Sequence, residues 1–549
     1  MTDAPVRPLP QLTPWNEWWW TSGADGALRF ARCPLCAKWV NPAQARCPFC
    51  HDGLPAPEPV AGTGTVVGFT VNVQQWLPEF PPPYVIAVVE LDEDPTLRIT
   101  TNVVGCPPEE VRIGQRVAVG FDHQEDVWVP VFHPVEGPDR PGLVDLPVVD
   151  APTPIGTRPK FEDRVVVSGI GMSRVGRRLM VDPLGLTVDA CLEAITDAGL
   201  TVADIDGVAS YPGPMGHGMS EGGVSALVEA LRLQPTWVNG GPETPGQIGS
   251  IISGMLAVAS GLCRHVLCFR TVWEATYAQL GREGRLPPEP GRVSGTSQEF
   301  RFPFGATSAA NWIAITASQY FHRFGGGRET LGWIALNARA NAARNPAAIY
   351  RDPLTMDEYM DARMVSSPLG LYDCDVPCDG AVAVIVSAAE TAGDLRVTPL
   401  KVEAVGTRIT ERLTWDQGTL THLPQIFGPA AHIWTRTDLR PADVDVAQIY
   451  DGFTFNCLSW LEALGFCGIG ESAEFLDGGK RIALDGELPL NTAGGQLSAG
   501  RLHGYGFVHE AVTQLRGAGG DRQVAGEPRV AMVAAGGGVP TGCFLLRTP

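Results

Sequence analysis

Five short runs in the first quarter of the chain concentrate β-branched and aromatic residues between turn signals: Gly64–Val73, Tyr84–Leu91, Leu97–Val103, Val117–Phe121 and Val127–Phe132. Their length and punctuation predict a small β-barrel. Ahead of them, Asn16-Glu-Trp-Trp-Trp20 predicts a short helical start, and Gly26-Ala-Leu28-Arg-Phe30 leads into a cysteine-rich stretch. From His133 to Pro159 seven prolines interrupt the chain with neither helical nor strand periodicity. Such a segment is a semi-rigid linker and a domain boundary.

Past the linker, Arg164–Gly171 reads as a buried strand ending in glycines, and Lys401–Gly406 echoes it. Leu200–Tyr211 and Leu439–Tyr450 share Leu, Ala, two Asp and Tyr at equal offsets, 239 positions apart. Each copy follows an amphipathic helical pattern, Leu186–Ala198 and Ala430–Thr437, and each ends in a strand. A repeat this long implies duplicated α/β halves rather than a solenoid, with chance similarity as the competing reading.

At 549 residues the chain exceeds what one hydrophobic core organises, so two or three domains are expected. No apolar run reaches the roughly 18 residues of a membrane span, and the Pro-rich start is no signal peptide, so a soluble cytoplasmic protein with no membrane partner is expected. Acidic residues outnumber basic ones 60 to 41, and between Val60 and His133 ten acids face three arginines. A nucleic-acid groove would need the opposite sign, so no nucleic-acid partner is expected.

Thirteen cysteines in so long a chain are no secreted disulfide scaffold. Cys33-Pro-Leu-Cys36 and Cys47-Pro-Phe-Cys50 form two knuckles ten residues apart, the spacing of a tetrahedral Zn2+ site. Four thiolates leave no open coordination position, so the metal would be structural. A redox pair would need a helix start after a strand, and a disulfide would need an oxidising compartment.

Asn491-Thr-Ala-Gly494-Gly495-Gln-Leu-Ser-Ala-Gly-Arg-Leu-His503-Gly-Tyr505-Gly, preceded by Tyr450-Asp451-Gly-Phe453, resembles the two C-terminal active-site loops of the thiolase superfamily. Asn345-Pro346, Ser367-Pro368-Leu369, Cys378-Asp379-Gly380-Ala381 and Trp460–Gly465 are similar to its lipid-transfer and sterol-carrier branch, nearest in pattern to aldolases of steroid side-chain breakdown. Residues 10–133 resemble the zinc-ribbon plus OB-fold family that accompanies such enzymes. The resemblance implies an α/β chain with a duplicated thiolase-like fold in αβαβα layers, preceded by a zinc ribbon and a small OB-fold β-barrel. It divides the chain into 1–60 (helical segment and ribbon), 61–133 (barrel), 134–163 (linker) and 164–549 (thiolase-like domain, halves 164–397 and 398–549).

Where a thiolase presents its nucleophile, after Val238-Asn239, this chain reads Gly240-Gly-Pro-Glu243-Thr-Pro-Gly246. A thiolase frame without that thiol implies retro-aldol cleavage of a 3-hydroxyacyl-CoA with no acyl-enzyme. By resemblance the catalytic pair is Tyr450 and Tyr505, with His503 as donor or oxyanion contact and Asp451 orienting a neighbour. Gly494, Gly495, Gly537 and Gly538 would supply backbone amides to the substrate, although tight turns account for them more readily, since no Lys-Ser/Thr completes a P-loop. Cys457, Cys467 and Cys543 keep a thiolase or acyltransferase as an alternative, but Cys457 sits in an apolar helical run where an inert thiol is usual. A third reading is a non-catalytic acyl-CoA or lipid carrier that scaffolds a hydratase. The resemblance also implies a homodimer and, by analogy, an enoyl-CoA hydratase as partner. Trp273, Phe302, Phe304 and Trp312 either line an acyl pocket or fill the core.

Overall fold

The computed structural model describes residues 6–140, 160–212, 216–241, 246–287, 291–294, 296–409, 428–537 and 541–549. Glu17–Trp20 is helical, and a three-stranded antiparallel sheet follows: β1 (Arg29–Arg32) lies between β2 (Trp39–Val40) and β3 (Ala56–Pro59). The barrel comprises β4 (Thr63–Asn72), β5 (Tyr84–Leu91), β6 (Arg98–Thr101), β7 (Arg116–Gln124) and β8 (Val127–Pro134). β4 pairs with both β5 and β7, β7 pairs with β8, and a bridge from Val103 to Phe132 draws the end of β6 onto β8. Closure leaves Val66, Val89, Ile99, Val117, Val129 and Phe132 facing one interior. All five predicted strands are present.

The large domain contains β9 (Val165–Met172), β10 (Gly207–Ser210), β11 (Trp237–Gly240), β12 (His265–Trp273), a hairpin β13 (Met364–Ser366) and β14 (Leu369–Gly370), β15 (Asp379–Ala388), β16 (Leu400–Gly406), β17 (Val446–Ile449), β18 (Val530–Ala535) and β19 (Gly542–Arg547). Nine of them form one path, β11-β10-β12-β15-β9-β16-β19-β18-β17. Followed outward from the β9–β16 junction, both halves obey one rule. The first strand runs antiparallel to the last, the last antiparallel to the one before it, and that one parallel to the second. The sequence repeat is therefore a repeat of topology, with Tyr211 and Tyr450 standing directly after β10 and β17.

Helices repeat in the same way. Pro183–Ala198 follows β9 and Pro429–Trp434 follows β16. The first begins where Asp182 accepts the Leu184 N–H at 3.0 Å and Pro183 needs no donor, and it stops at Gly199 in the left-handed region. The helix Gly249–Ala259 precedes β12, and Tyr505–Leu515 precedes β18. Tyr505–Leu515 touches β17 and β18 of its own half and β9 and β15 of the other, so it lies between the halves.

Packing runs across the proposed division between barrel and large domain, and the linker residues 141–159 fall outside the described ones. Ser366 of β13 pairs with Asn72, extending the barrel sheet. Phe300 and Phe304 enter the barrel core and stack on Trp20, with ring centroids 5.7 and 6.4 Å away. Asn102 donates to the Phe304 carbonyl at 2.9 Å, and Tyr84 donates to that of Gly305 at 2.9 Å. The helix Ala309–Phe324 lies on β4, with Ile315 and Trp312 packed against Val67, Ile86 and Val88. Phe304 and Trp312 thus fasten the barrel to the large domain, which settles the choice between pocket and core for those two.

Candidate active site

The helices Gly249–Ala259 and Tyr505–Leu515 bring their N-terminal ends together. Ser250, near the start of Gly249–Ala259, and Tyr505, the first residue of Tyr505–Leu515, hydrogen-bond through their hydroxyls at 2.6 Å. Gln247, just ahead of the first helix, donates to the Tyr450 hydroxyl at 3.2 Å. Tyr450 is held at the end of β17 by Asn491, whose side-chain amide accepts from Ile449 N–H and donates to Ile449 C=O, both at 2.8 Å. An asparagine side chain is here doing what a neighbouring strand would do. The N-terminal ends of helices carry unsatisfied N–H groups and partial positive charge, a setting that favours developing negative charge.

His503 is buried, and Arg270 Nη2 lies 2.5 Å from its Nδ1. A guanidinium has no acceptor, so Nδ1 must accept and the ring proton sits on Nε2. Burial and the charges of Arg270 and Arg501 hold the imidazole well below its usual range. His503 is therefore held as a neutral N–H donor. Arg270 is itself fixed by the carbonyls of Tyr211, at 3.1 Å, and Met219, with its guanidinium 4.9 Å over the Tyr211 ring.

Asp451 Oδ1 accepts from Gln496 N–H at 2.7 Å, and Gln496 Oε1 accepts from His503 N–H at 2.9 Å. Burial pushes the Asp451 carboxyl up to about 7. Gln496 belongs to a single π-turn, Gly495–Ala499, in a loop where Asn491 (φ +50°) and His503 (φ +46°) both adopt the left-handed region. Residues held in such conformations cluster at functional sites.

The predicted site residues separate into groups. Tyr450, Asp451, His503 and Tyr505 converge on these helix ends, whereas Tyr505 is fully buried and its phenol is pushed well above its usual range, chiefly by burial. Close packing accounts for Gly494 and Gly495: a methyl on Gly494 would fall 2.5 Å from Ala342 Cβ, and one on Gly495 1.8 Å from Asp451 Oδ2. Gly537 accepts from Asn456 Nδ2 at 2.9 Å through its carbonyl. Gly538, and the Glu243 loop at 242–245, lie outside the described residues. Gln247, Ser250, Arg270 and Arg501 escaped the sequence reading. Arg270 did leave a signal, a lone charge in the otherwise apolar strand His265–Trp273.

Cys33, Cys36, Cys47 and Cys50 gather with all four sulfurs within 4.8 Å of one another, Cys33 to Cys50 at 3.7 Å and Cys36 to Cys47 at 3.6 Å. A tetrahedron with Zn–S bonds of about 2.3 Å has edges of about 3.8 Å, so this donor set fits a metal ion. The eight cysteines of the large domain behave differently. Cys191, Cys263, Cys268, Cys374, Cys378, Cys457, Cys467 and Cys543 all have their thiols pushed up by burial.

A nine-stranded duplicated sheet with paired helix ends defines a thiolase-like enzyme. A family model described as thiolase C-terminal domain-like matches residues 417–543, and one described as the C-terminal OB-fold domain of ChsH2 matches 57–122. The 17-hydroxy-3-oxo-4-pregnene-20-carboxyl-CoA lyase of Mycobacterium tuberculosis is 31% identical over 388 residues, 70% of this chain and 99% of that protein. A steroid side-chain-cleaving aldolase of Thermomonospora curvata is 30% identical, over 69% of this chain and 97% of that protein. An acetyl-CoA acetyltransferase of Methanothermobacter thermautotrophicus is also 30% identical, over 66% of this chain and 93% of that protein. Among solved structures, an Ltp2-ChsH2(DUF35) aldolase matches with a TM-score of 0.62 and 28% identity, over 70% of this chain and 98% of that one. The chain belongs to the thiolase-like aldolase family of carbon–carbon lyases.

Proposed function

We propose that this lyase performs retro-aldol cleavage of a 3-hydroxyacyl-CoA, releasing a ketone or aldehyde and a shorter acyl-CoA. Tyr450, as phenolate, removes the substrate hydroxyl proton. The Cα–Cβ bond then breaks, its electron pair passing to the thioester as an enolate, and the enolate carbon regains a proton. The Nε2–H of His503 and the two helix N-termini oppose the enolate charge, a contribution of about 3–4 kcal/mol for one good donor in a dry site. Asp451 keeps the His503 loop in register through Gln496, and Tyr505 ties the two helix ends through Ser250. A steroid or other branched acyl group suits the family resemblance.

The observation that carries this reading is the state of the sulfur. The acetyltransferase relative favours acyl transfer through cysteine, which needs a reactive thiolate, yet burial keeps every thiol of the large domain protonated at neutral pH. Incubation with a branched 3-hydroxyacyl-CoA should yield the ketone with no mass adduct on the protein and no inhibition by iodoacetamide. An acylated protein during turnover would replace this reading with the acyltransferase one, and tight acyl-CoA binding without any product would favour the carrier.

Zn2+ in the Cys33, Cys36, Cys47 and Cys50 cluster would clamp the ribbon, which has little apolar core of its own. Homodimerisation is supported by the edge strand β11, where Val238 is 51% exposed, and by the helix packed against it, in and just after which Leu256 (50%) and Leu262 (58%) are exposed. A hydratase supplying the 3-hydroxyacyl-CoA is a chemically consistent partner. Among the described residues no helix is long and apolar enough to cross a membrane.

A further inference from the structure

Arg501 is engaged on two sides by carboxylates, Nε lying 2.9 Å from Glu274 Oε2 and Nη1 3.3 Å from Asp375 Oδ1. Its backbone is held as firmly: Arg501 N–H donates to Val376 C=O at 2.9 Å, and Val376 N–H donates to Gln496 C=O at 3.0 Å. Asp375 N–H in turn donates to the Gly452 carbonyl at 3.1 Å. Gly452 underlies the Tyr450 ring so closely that a methyl there would fall 2.7 Å from the phenol oxygen. A continuous set of contacts therefore leads from the guanidinium through Asp375 and Gly452 to the Tyr450 hydroxyl.

We propose that Arg501, clamped by Glu274 and Asp375, is the positioning residue that keeps the Tyr450 phenol ionisable, an inference that rests on Tyr450 being the base. A phenol with its ordinary pKa of about 10 is ionised only to about 0.1% at neutral pH. An opposite charge within about 4–6 Å lowers such a value by about 1–3 units, multiplying the available base by about 10- to 500-fold. Arg501 interacts electrostatically with Tyr450, and despite the opposing effect of burial its own pKa is raised by Asp375, Glu274 and Tyr450. Asp375 and Asp451 face the same region, and burial pushes each carboxyl up to about 7, so part of their opposing charge is removed near neutrality. His503, backed by Arg270, stays neutral. Glu274 and Asp375 offset the cost of burying the guanidinium.

The test is the pH profile of kcat/KM for the full-length protein acting on a 3-hydroxyacyl-CoA. Arg501→Gln should move the acid limb up by about 1–3 pH units, with activity recovering at high pH, whereas Arg501→Lys should stay close to wild type. Asp375→Asn, which keeps the cation and removes a counter-charge, should move the limb down. That variant and Arg501→Lys decide the matter if Arg501→Gln does not fold. Unshifted limbs in Arg501→Gln and Asp375→Asn, or a uniform loss at every pH, would overturn the inference while leaving Tyr450 as base. Undiminished turnover by Tyr450→Phe would instead remove the reading beneath it.

Discussion

Tyr211 and Tyr450 occupy the same point in the two halves of the large domain, yet their surroundings set them different tasks. Tyr211 gives its ring face and carbonyl to Arg270, and through that arginine it fixes His503. Tyr450 presents its hydroxyl to Gln247 from the opposite half, beside the cation of Arg501. Duplication supplied a two-fold frame that brings two helix ends together, and divergence of the flanking loops made the frame a one-sided site. One half contributes the group proposed to react, and the other the support that fixes its neighbour.

That contrast is sharpest in turnover. Tyr450→Phe should lower kcat by at least about 100-fold with acyl-CoA affinity retained, as steady-state kinetics and calorimetry would show. Tyr211→Phe keeps both ring and carbonyl, and should stay within a few-fold of wild type. Equal losses in the two variants would erase the division of labour.

Arg270→Met comes next. Without the guanidinium, His503 regains freedom of tautomer while burial and Arg501 still hold its pKa below the ordinary value, so the rate should fall about 10-fold and any new acid limb should lie below about 6.5. Nitrogen chemical shifts of the imidazole would report the tautomer directly, and an Nδ1–H form in the wild-type protein would contradict the assignment.

Asp451 supplies a stability measurement. Its carboxyl titrates at about 7 in the folded protein and at about 4 once unfolded, so the folded state binds the extra proton between those values. Stability should therefore fall as pH rises from about 4 to about 7 and level off above, the contribution reaching at most about 4 kcal/mol. Asp451→Asn should flatten that slope, read as Tm against pH. The smallest effect belongs to Ser250→Ala, which removes one hydroxyl contact with Tyr505, about 1 kcal/mol, and should leave the pH profile in place.

Much of this architecture is legible in one dimension. Strand runs with period and punctuation located the barrel, the cysteine knuckles located a metal-binding donor set, and the Leu200 and Leu439 segments disclosed the duplication before any coordinates. Tyr450, Asp451 and His503 stood out because short loops carry their motifs in contiguous residues, whereas the hold of Asn491 on Ile449 shows only in the fold. Gln247, Ser250, Arg270, Glu274 and Asp375 did not stand out, because they come from three separate stretches of chain and only the fold brings these to the C-terminal loops. Tyr505, two positions after His503 in sequence, begins a helix whose first turn meets the other half, and its hydroxyl pairs there with that of Ser250, a contact that no single segment foretells.

Local interactions, such as turn propensities, alternation and ligand spacing, act over a few residues, so the sequence alone determined the kinds of units present, their duplication and the class of chemistry. Charge and hydrogen bonding act through space, and they are weighted by burial that no single segment controls. Tertiary structure therefore decided which histidine nitrogen faces Arg270, which thiols burial pushes up and which arginine acts electrostatically on Tyr450.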